Sequence, residues 1–433
     1  MGFISSTVYL LAALQLVTSL PLIPKESIHS VKLLGRGSLS KDNSTLEHGP
    51  SEYLSGLIKY GINPTHPGAL PIHEIITPDR RLRRRDVTLG LDPASLVPGG
   101  RSYKSPITIG TGHNAKTFML VFDTGSPDLW VFSDLIDQRL PVEHVLYEPD
   151  KSTSAIGTHG RWNISYLDAT SAAGVAYNDT VEIAGIIIPQ QAVEAAVQLS
   201  KDMLAFEADG ILGLSLAPNT IVPGYAPTTV ENLFLSANSQ ITQKLFTVAL
   251  TRGNEPEGFY TFGYIDKDLV GSSEINYTTV YYEHGSWEVP SEYAVINGKR
   301  VSRPTGNRAI MDTGTTLIYV SDELLPLIYE PMGGHYDTDV QGWVFPANTT
   351  VSDVPSIVLP VGEHELTLDV LDIMRLPVDD NWIYGSIQSR GDLDTDLFGD
   401  YWLRNVYAVY DVKGDKNGPR FGFVPRAPIK TQS

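Results

Sequence analysis

Two short polar knots interrupt apolar runs in this chain: VFDTGSPDLWVF at 121–132 and AIMDTGTTLIYV at 309–320. Each places an Asp-Thr-Gly directly after residues that read as a strand. One such triplet is ordinary turn chemistry. Two of them, each following a strand, suggest a pair of carboxylates brought to one place. Carboxylates sharing a site cannot easily both ionise, so one is pushed up and the other down, and the pair holds a single proton over an acidic range. One member then acts as base and the other as acid on the same water, which is enough to add that water to an amide carbonyl. Asp123 and Asp312 are the candidate pair. Gly125 and Gly314 allow a tight turn and close backbone approach. Thr124 and Thr313 are expected to bond across their turns, and Ser126 and Thr315 to hold the outer carboxylate oxygens.

Positioning such a pair needs two matching scaffolds, and the chain carries an internal repeat. Asp123 is followed by Ile211-Leu212-Gly213, and Asp312 by Leu397-Phe398-Gly399; the Asp-to-Gly separations are 213 − 123 = 90 and 399 − 312 = 87. A period this long, occurring twice, describes two duplicated lobes and not a solenoid. Segments such as SPITIG, FMLVFD, VEIAGIIIP, LFTVALT and YAVYDV, separated by Gly, Pro, Asn and Asp, predict an all-β fold. Helix signals are few. PTTVENLFLSANSQI opens with a capping box, Thr228 with Glu231, and SDELLPLIYE offers Ser321 as a cap.

Composition supports a sizeable core: 433 residues, 42% hydrophobic and without cysteine. Disulfides, thiolate metal sites and a cysteine nucleophile are therefore excluded. The first twenty residues carry no charged side chain and read as a secretory signal, too short for a membrane span. Residues 21–85 hold 10 Lys+Arg and 6 Asp+Glu, so 86–433 holds 32 − 10 = 22 basic and 50 − 6 = 44 acidic residues. A basic leader on a body of net −22 suggests electrostatic docking of one on the other, and the body's charge argues against nucleic acid as a partner. RRLRRRD, ending at Arg84 and Arg85, suits cleavage by a kexin-type processing protease. The expected division is a signal peptide at 1–20, a propeptide at 21–85, an N-terminal β lobe at 86–270 and a C-terminal β lobe at 271–433.

On these residues the chain resembles the pepsin-like aspartic endopeptidases, most closely the fungal group of penicillopepsin and aspergillopepsin. VFDTGSPDLWVFS and AIMDTGTTLIYV resemble the two catalytic motifs. ADGILGLS, LFGDYWLRNVYAVYD and RFGFVP resemble later signatures, so that the likeness runs from about Arg101 to Pro425. The resemblance implies a bilobal fold with the cleft between the lobes, Asp123 and Asp312 as the catalytic dyad, and Trp130 backing a flap tyrosine. It also implies that LIKYG, with Lys59 and Tyr60, is the prosegment lysine-tyrosine that blocks the cleft of a zymogen. Tyr166 matches the flap tyrosine, and Asp168 the flap aspartate associated with accepting lysine before the scissile bond. The flap departs from the family pattern: WNISYLDATSAAG has Leu167 and Ala169 where glycines are usual. The fungal cysteine pair is also gone, its places falling in VFPANTT and DDNWIYGSI.

The expectation is a secreted acid endopeptidase, made as a zymogen, cutting near bulky apolar residues of a protein or peptide substrate. A vacuolar destination is the other possibility. The competing reading, favoured only by the altered flap, is a non-catalytic peptide-binding or inhibitor-like protein of the same fold. Sequons at Asn43, Asn163, Asn178, Asn276 and Asn348 suit a secreted chain. The ten histidines show no metal-ligand spacing, and GNRAIMDTG lacks the ending of a phosphate loop. No metal, cofactor or membrane anchor is expected, and a monomer is.

Overall fold

A computed structural model describes residues 30–32, 48–70, 82–83, 88–89, 103–140, 142–165, 171–200, 203–206, 208–218, 226–237, 239–252, 258–374 and 376–428. The architecture is almost entirely β. Alternation of side chains sets the first strand of the body, Lys104–Ile109, whose residues switch regularly between half-buried and buried. It pairs with Lys116–Asp123, the strand that ends on the first Asp-Thr-Gly.

The N-terminal sheet has seven strands. At its centre Gly210–Gly213 lies parallel to Lys116–Asp123, with Ile211 opposite Val121 and Gly213 opposite Asp123, and antiparallel to Leu129–Val131. The C-terminal half repeats this unit in a five-stranded sheet. Asp396–Phe398 lies parallel to Arg308–Met311, with Ile310 opposite Leu397, and antiparallel to Ile318–Val320. The near-equal Asp-to-Gly separations in the sequence are this strand register, written twice.

A six-stranded sheet joins the halves. Leu245–Ala249, from before residue 270, pairs with Val406–Asp415, which in turn pairs with Gly418–Pro425. The leader strand Ser30–Lys32 lies on the edge of the same sheet, against Phe259–Phe262. The lobes therefore share main-chain hydrogen bonds across the expected boundary. One continuous apolar core runs from Ile107 and Phe118 in the first lobe through Phe246, Trp287 and Tyr410 to Leu317, Phe398 and Trp402 in the second. Removing this much apolar surface from water is the main force holding the halves together.

Both expected helices exist as short turns. The capping box is formed: Thr228 N donates to Glu231 Oε2 at 2.8 Å and Glu231 N to Thr228 Oγ1 at 3.2 Å. Ser321 does not cap its helix. Its hydroxyl accepts from Nε and Nη2 of buried Arg303, at 3.0 and 2.7 Å, and donates to Glu323. The guanidinium comes from a residue 18 positions earlier, beyond the reach of a local capping pattern. The stretches in place of the missing cysteine pair are stitched by main chain instead: Gly342–Pro346 pairs with Trp382–Tyr384, and Ala347 N donates to Asn381 O at 2.7 Å.

Candidate active site

Each Asp-Thr-Gly leaves its strand where the two lobes meet, and the threonines lock the turns to one another. Thr124 Oγ1 donates to Met311 O at 2.8 Å and Thr313 Oγ1 to Phe122 O at 2.7 Å. The same oxygens accept the opposite backbone amides, Thr313 N at 3.0 Å and Thr124 N at 3.1 Å. The expectation that each threonine bonds across its own turn is thus corrected: both reach across the lobe interface. Every one of these bonds is buried, so each prevents an orphaned polar group as well as adding a contact.

The two carboxylates stand over this lattice, Asp123 3% exposed and Asp312 fully buried. Each is fixed by its own turn. Gly125 N donates to Asp123 Oδ1 at 2.8 Å and Gly314 N to Asp312 Oδ1 at 2.9 Å. Ser126 Oγ donates to Asp123 Oδ2 at 2.6 Å, and Thr315 Oγ1 to Asp312 Oδ2. Both glycines are needed for close approach. A Cβ on Gly125 would stand 2.6 Å from Asp312 Oδ1, and one on Gly314 2.2 Å from Asp123 Oδ1. Each turn therefore packs against the other's carboxylate.

A segment of the leader occupies the space above the pair. The helix His48–Tyr60 ends in a Schellman turn: Gly61 adopts φ +64° and Ile62 N donates to Leu57 O at 2.8 Å. Leu57 and Ile62, both buried, fasten that end. Its last turn delivers Lys59 Nζ to within 2.8 Å of Asp123 Oδ1 and 2.8 Å of Asp312 Oδ2. Tyr60 OH donates to Asp312 Oδ2 at 2.7 Å. Gly56 lets the helix settle on Tyr319, whose hydroxyl would lie 2.0 Å from a Cβ there. That hydroxyl lies 2.9 and 2.8 Å from the carbonyls of Glu52 and Tyr53, and Tyr53 stacks on the Tyr319 ring. Thr316 donates to the Glu52 carboxylate at 2.5 Å.

The electrostatics follow from these contacts. Burial acts on both carboxyls to raise them. For Asp123, burial together with the charge of Asp312 outweighs Lys59 and holds it above the usual range. For Asp312, Lys59, Thr315 and Tyr60 overcome burial and hold it below. Lys59 is opposed by burial, yet the two carboxylates raise it above an ordinary lysine.

The other expected site residues are dispersed. Trp130 is buried among Phe132, Trp162 and Phe206, with ring centroids 5.7, 6.2 and 5.9 Å away. Tyr166 and Asp168, the residues expected in the flap, lie outside the described residues, as do Arg84, Arg85 and Asn43. Asn163 and Asn348 are exposed; Asn178 and Asn276 are half-buried in strands. Sequence reasoning missed a second pair of acids, Asp128 and Glu194, both buried just behind the first turn. The alternation of the strand Ile186–Leu199 offered no warning, because six consecutive residues from Gln191 are buried.

Residues 102–419 match the sequence model of the family described as "Eukaryotic aspartyl protease". The chain is 31% identical over 418 residues to Aspergillopepsin-1 of Aspergillus fumigatus, an alignment covering 95% of this chain and 96% of that protein. It is 33% identical over 358 residues to Aspartic protease pepA of Arthroderma gypseum, covering 79% and 84%, and 35% identical over 334 residues to Aspergillopepsin-1 of Aspergillus clavatus, covering 76% and 80%. With the duplicated lobes and paired Asp-Thr-Gly turns, these matches place the chain in the eukaryotic aspartyl protease family, as an aspartic-type endopeptidase of pepsin-like fold.

Proposed function

We propose that this chain is a secreted acid endopeptidase, made as a zymogen whose leader holds Lys59 on the two carboxylates that will later activate water. The observation that carries the reading is the position of Lys59 Nζ, 2.8 Å from Asp123 and 2.8 Å from Asp312. A lysine there occupies the place a catalytic water needs and engages both acids at once. With the leader gone, the carboxylates share one proton, which belongs to the pair and to neither residue alone. The ionised member takes a proton from water as it attacks the scissile carbonyl, while the protonated member donates to the carbonyl oxygen. Ser126 and Thr315 keep the carboxyls oriented throughout. The uncharged stretch at 1–20 supports export, and the basic run ending at Arg84 and Arg85 supports removal of the leader by a kexin-type protease. Outside the cell or in an acidic vacuole, the substrate is an extended protein segment with bulky apolar residues at the cut.

The test is cleavage of denatured globin by the mature enzyme across pH, with and without pepstatin. A bell-shaped profile with its maximum at roughly pH 3–5 and complete inhibition by pepstatin is expected from the titration of acid-protease dyads. No pepstatin-sensitive cleavage at any pH would leave a peptide-binding protein of this fold.

A further inference from the structure

Beyond Tyr60 the leader leaves its helix and lies along the C-terminal lobe, where one of its residues is held as a peptide ligand would be. Asn63 N donates to Asp392 Oδ1 at 2.6 Å and Asn63 Nδ2 to Asp392 Oδ2 at 2.8 Å. In return Asp392 N donates to Asn63 O at 2.9 Å. Two of these three bonds are to main chain and would be available to any residue; the third requires a donor on the side chain. Gly391, at φ +54°, makes the approach possible, since a Cβ there would stand 2.1 Å from Asn63 O.

The shelf is built by the body of the protein and not by the leader. Gly391 N donates to Ser389 Oγ at 2.9 Å, and Ser389 Oγ donates to Asp322. Arg390 is fastened from behind by Asp396 at 2.7 Å and Asn307 at 2.6 Å, and its backbone N donates to Val320 O at 2.8 Å. Val320 ends the strand that follows the second Asp-Thr-Gly, so the shelf is tied rigidly to the carboxylate pair. Among the described residues no lysine or arginine forms an ion pair with Asp392. The other oxygen of Asp322 accepts Thr65 Oγ1, a second donor from the same stretch of leader.

We propose that Gly391 and Asp392 form a specificity subsite of the mature enzyme. Vacated by Asn63, they grip one residue of the substrate away from the scissile bond through its backbone N–H and C=O. They favour a side chain that donates hydrogen bonds, an amide or a cation, over an acidic one. The inference rests on the endopeptidase reading, and its test separates the two.

The test takes the mature enzyme and a reference peptide cleaved at one bond, with every flanking position Ala. In a set of variants each flanking position in turn becomes Asn, Arg or Glu. At one position the parent enzyme should prefer Asn and Arg over Glu by about two- to fivefold in kcat/KM, mostly through KM, the size expected of a solvent-exposed charged contact. Asp392→Ala and Asp392→Asn should both flatten that preference. Asp392→Ala should also lose a few-fold in kcat/KM on the all-Ala peptide, because the backbone N–H loses its acceptor, whereas Asp392→Asn keeps an amide oxygen to accept it and should lose less. Pepstatin binding by each variant reports that its cleft is intact. A parent enzyme without such a preference, or a preference untouched in both variants, overturns the subsite and leaves Asp392 as an anchor for the leader alone. Failure of the parent to cut the all-Ala reference in a pepstatin-sensitive way instead counts against the endopeptidase reading.

Discussion

The strands on which the two Asp-Thr-Gly turns stand are built alike and backed differently. Seven residues after Asp123, Trp130 lies beside Glu194 in a parallel pair; seven after Asp312, Tyr319 lies beside Gln388 in the same way. Glu194 and Gln388 are thus counterparts, and both are buried. Gln388 is fully satisfied: Trp343 N donates to it at 2.8 Å, and its amide donates to Trp343 O at 2.9 Å and Gly385 O at 2.8 Å. Five residues after each aspartate stand Asp128 and Leu317. Behind the second turn, then, are an apolar side chain and a neutral amide; behind the first are two acids. Burial and then Asp128 push Glu194 well above the usual glutamic acid range, so that it holds its proton beside Asp128. The leader adds a further asymmetry: between His48 and Leu70, the polar contacts seen among the described residues fall on the second lobe except where Lys59 meets Asp123. The duplication has conserved what the carboxylates need and left their backing free to diverge.

The most severe test of the shared part is to remove one acid at a time. Asp123→Asn and Asp312→Asn should each lower kcat by roughly 10²–10⁴-fold, the usual value of such a group. Equal losses are expected despite the unequal backing, because an amide on either side cannot share the proton. More than a tenth of parental activity in either variant would show that one carboxylate suffices.

The threonine lattice offers the next largest effect. Thr313→Val keeps the shape but strands the Thr124 amide and leaves the Phe122 carbonyl with only the Tyr260 hydroxyl at 3.4 Å; Thr124→Val strands the Thr313 amide and leaves the Met311 carbonyl with the Tyr410 hydroxyl at 3.2 Å. Each should cost about 1–3 kcal/mol in denaturant unfolding, the value for one buried amide left unpaired. Similar values for both would support the symmetry, and a difference beyond about 1 kcal/mol would show that one lobe relaxes around the loss.

The repeat was legible because a parallel strand register is a spacing in sequence: Gly213 faces Asp123 and Gly399 extends the pairing of Met311 with Phe398. Lys59 was legible through its motif and its charge. The crossed threonine bonds were not, since they depend on where the interface places one turn against another. Nor was Ser321 as a partner of Arg303, 18 residues away, or Asp392 as a partner of Asn63, 329 residues away, since neither contact falls within a local sequence pattern. Glu194 escaped notice because a buried acid in a strand looks, in sequence, like an exposed one.

That acid supplies a test of the divergent part. Its folded-state value is raised above its unfolded one, so the folded protein holds a proton that the unfolded chain has lost. Stability from this group is complete below the ordinary glutamic acid range and falls as pH rises above it. Glu194→Gln should stabilise the mature enzyme at pH 7 by roughly 1–3 kcal/mol, the cost of a buried group poorly satisfied, and change little at pH 3. Gln388→Glu should confer the same pH dependence on the second lobe. Melting curves from pH 3 to 7 give the answer; parallel curves for parent and Glu194→Gln would mean that Glu194 ionises without cost.

The smallest effect is expected where the leader bridges the lobes. In the docked state Lys59 acts downward on both carboxyls, by charge and by hydrogen bond. The released state, without that lysine, therefore binds more protons, and docking weakens as pH falls into the range where the freed pair takes up its proton. Lys59→Met removes the bridge and with it most of this pH dependence. It leaves the grip on the second lobe untouched: Glu52 on Thr316, Tyr53 stacked on Tyr319, Asn63 on Asp392 and Leu70 N on Gln341. The leader should consequently stay in place for most of the time, and pepstatin should bind the unprocessed variant at pH 6.5 only about fivefold more tightly than the unprocessed parent, about 1 kcal/mol. Unchanged affinity would assign the block to the helix body and Tyr60. A gain of a hundredfold or more would show instead that contacts on the second lobe contribute little, and that the bridge between the two aspartates alone holds the leader in the cleft.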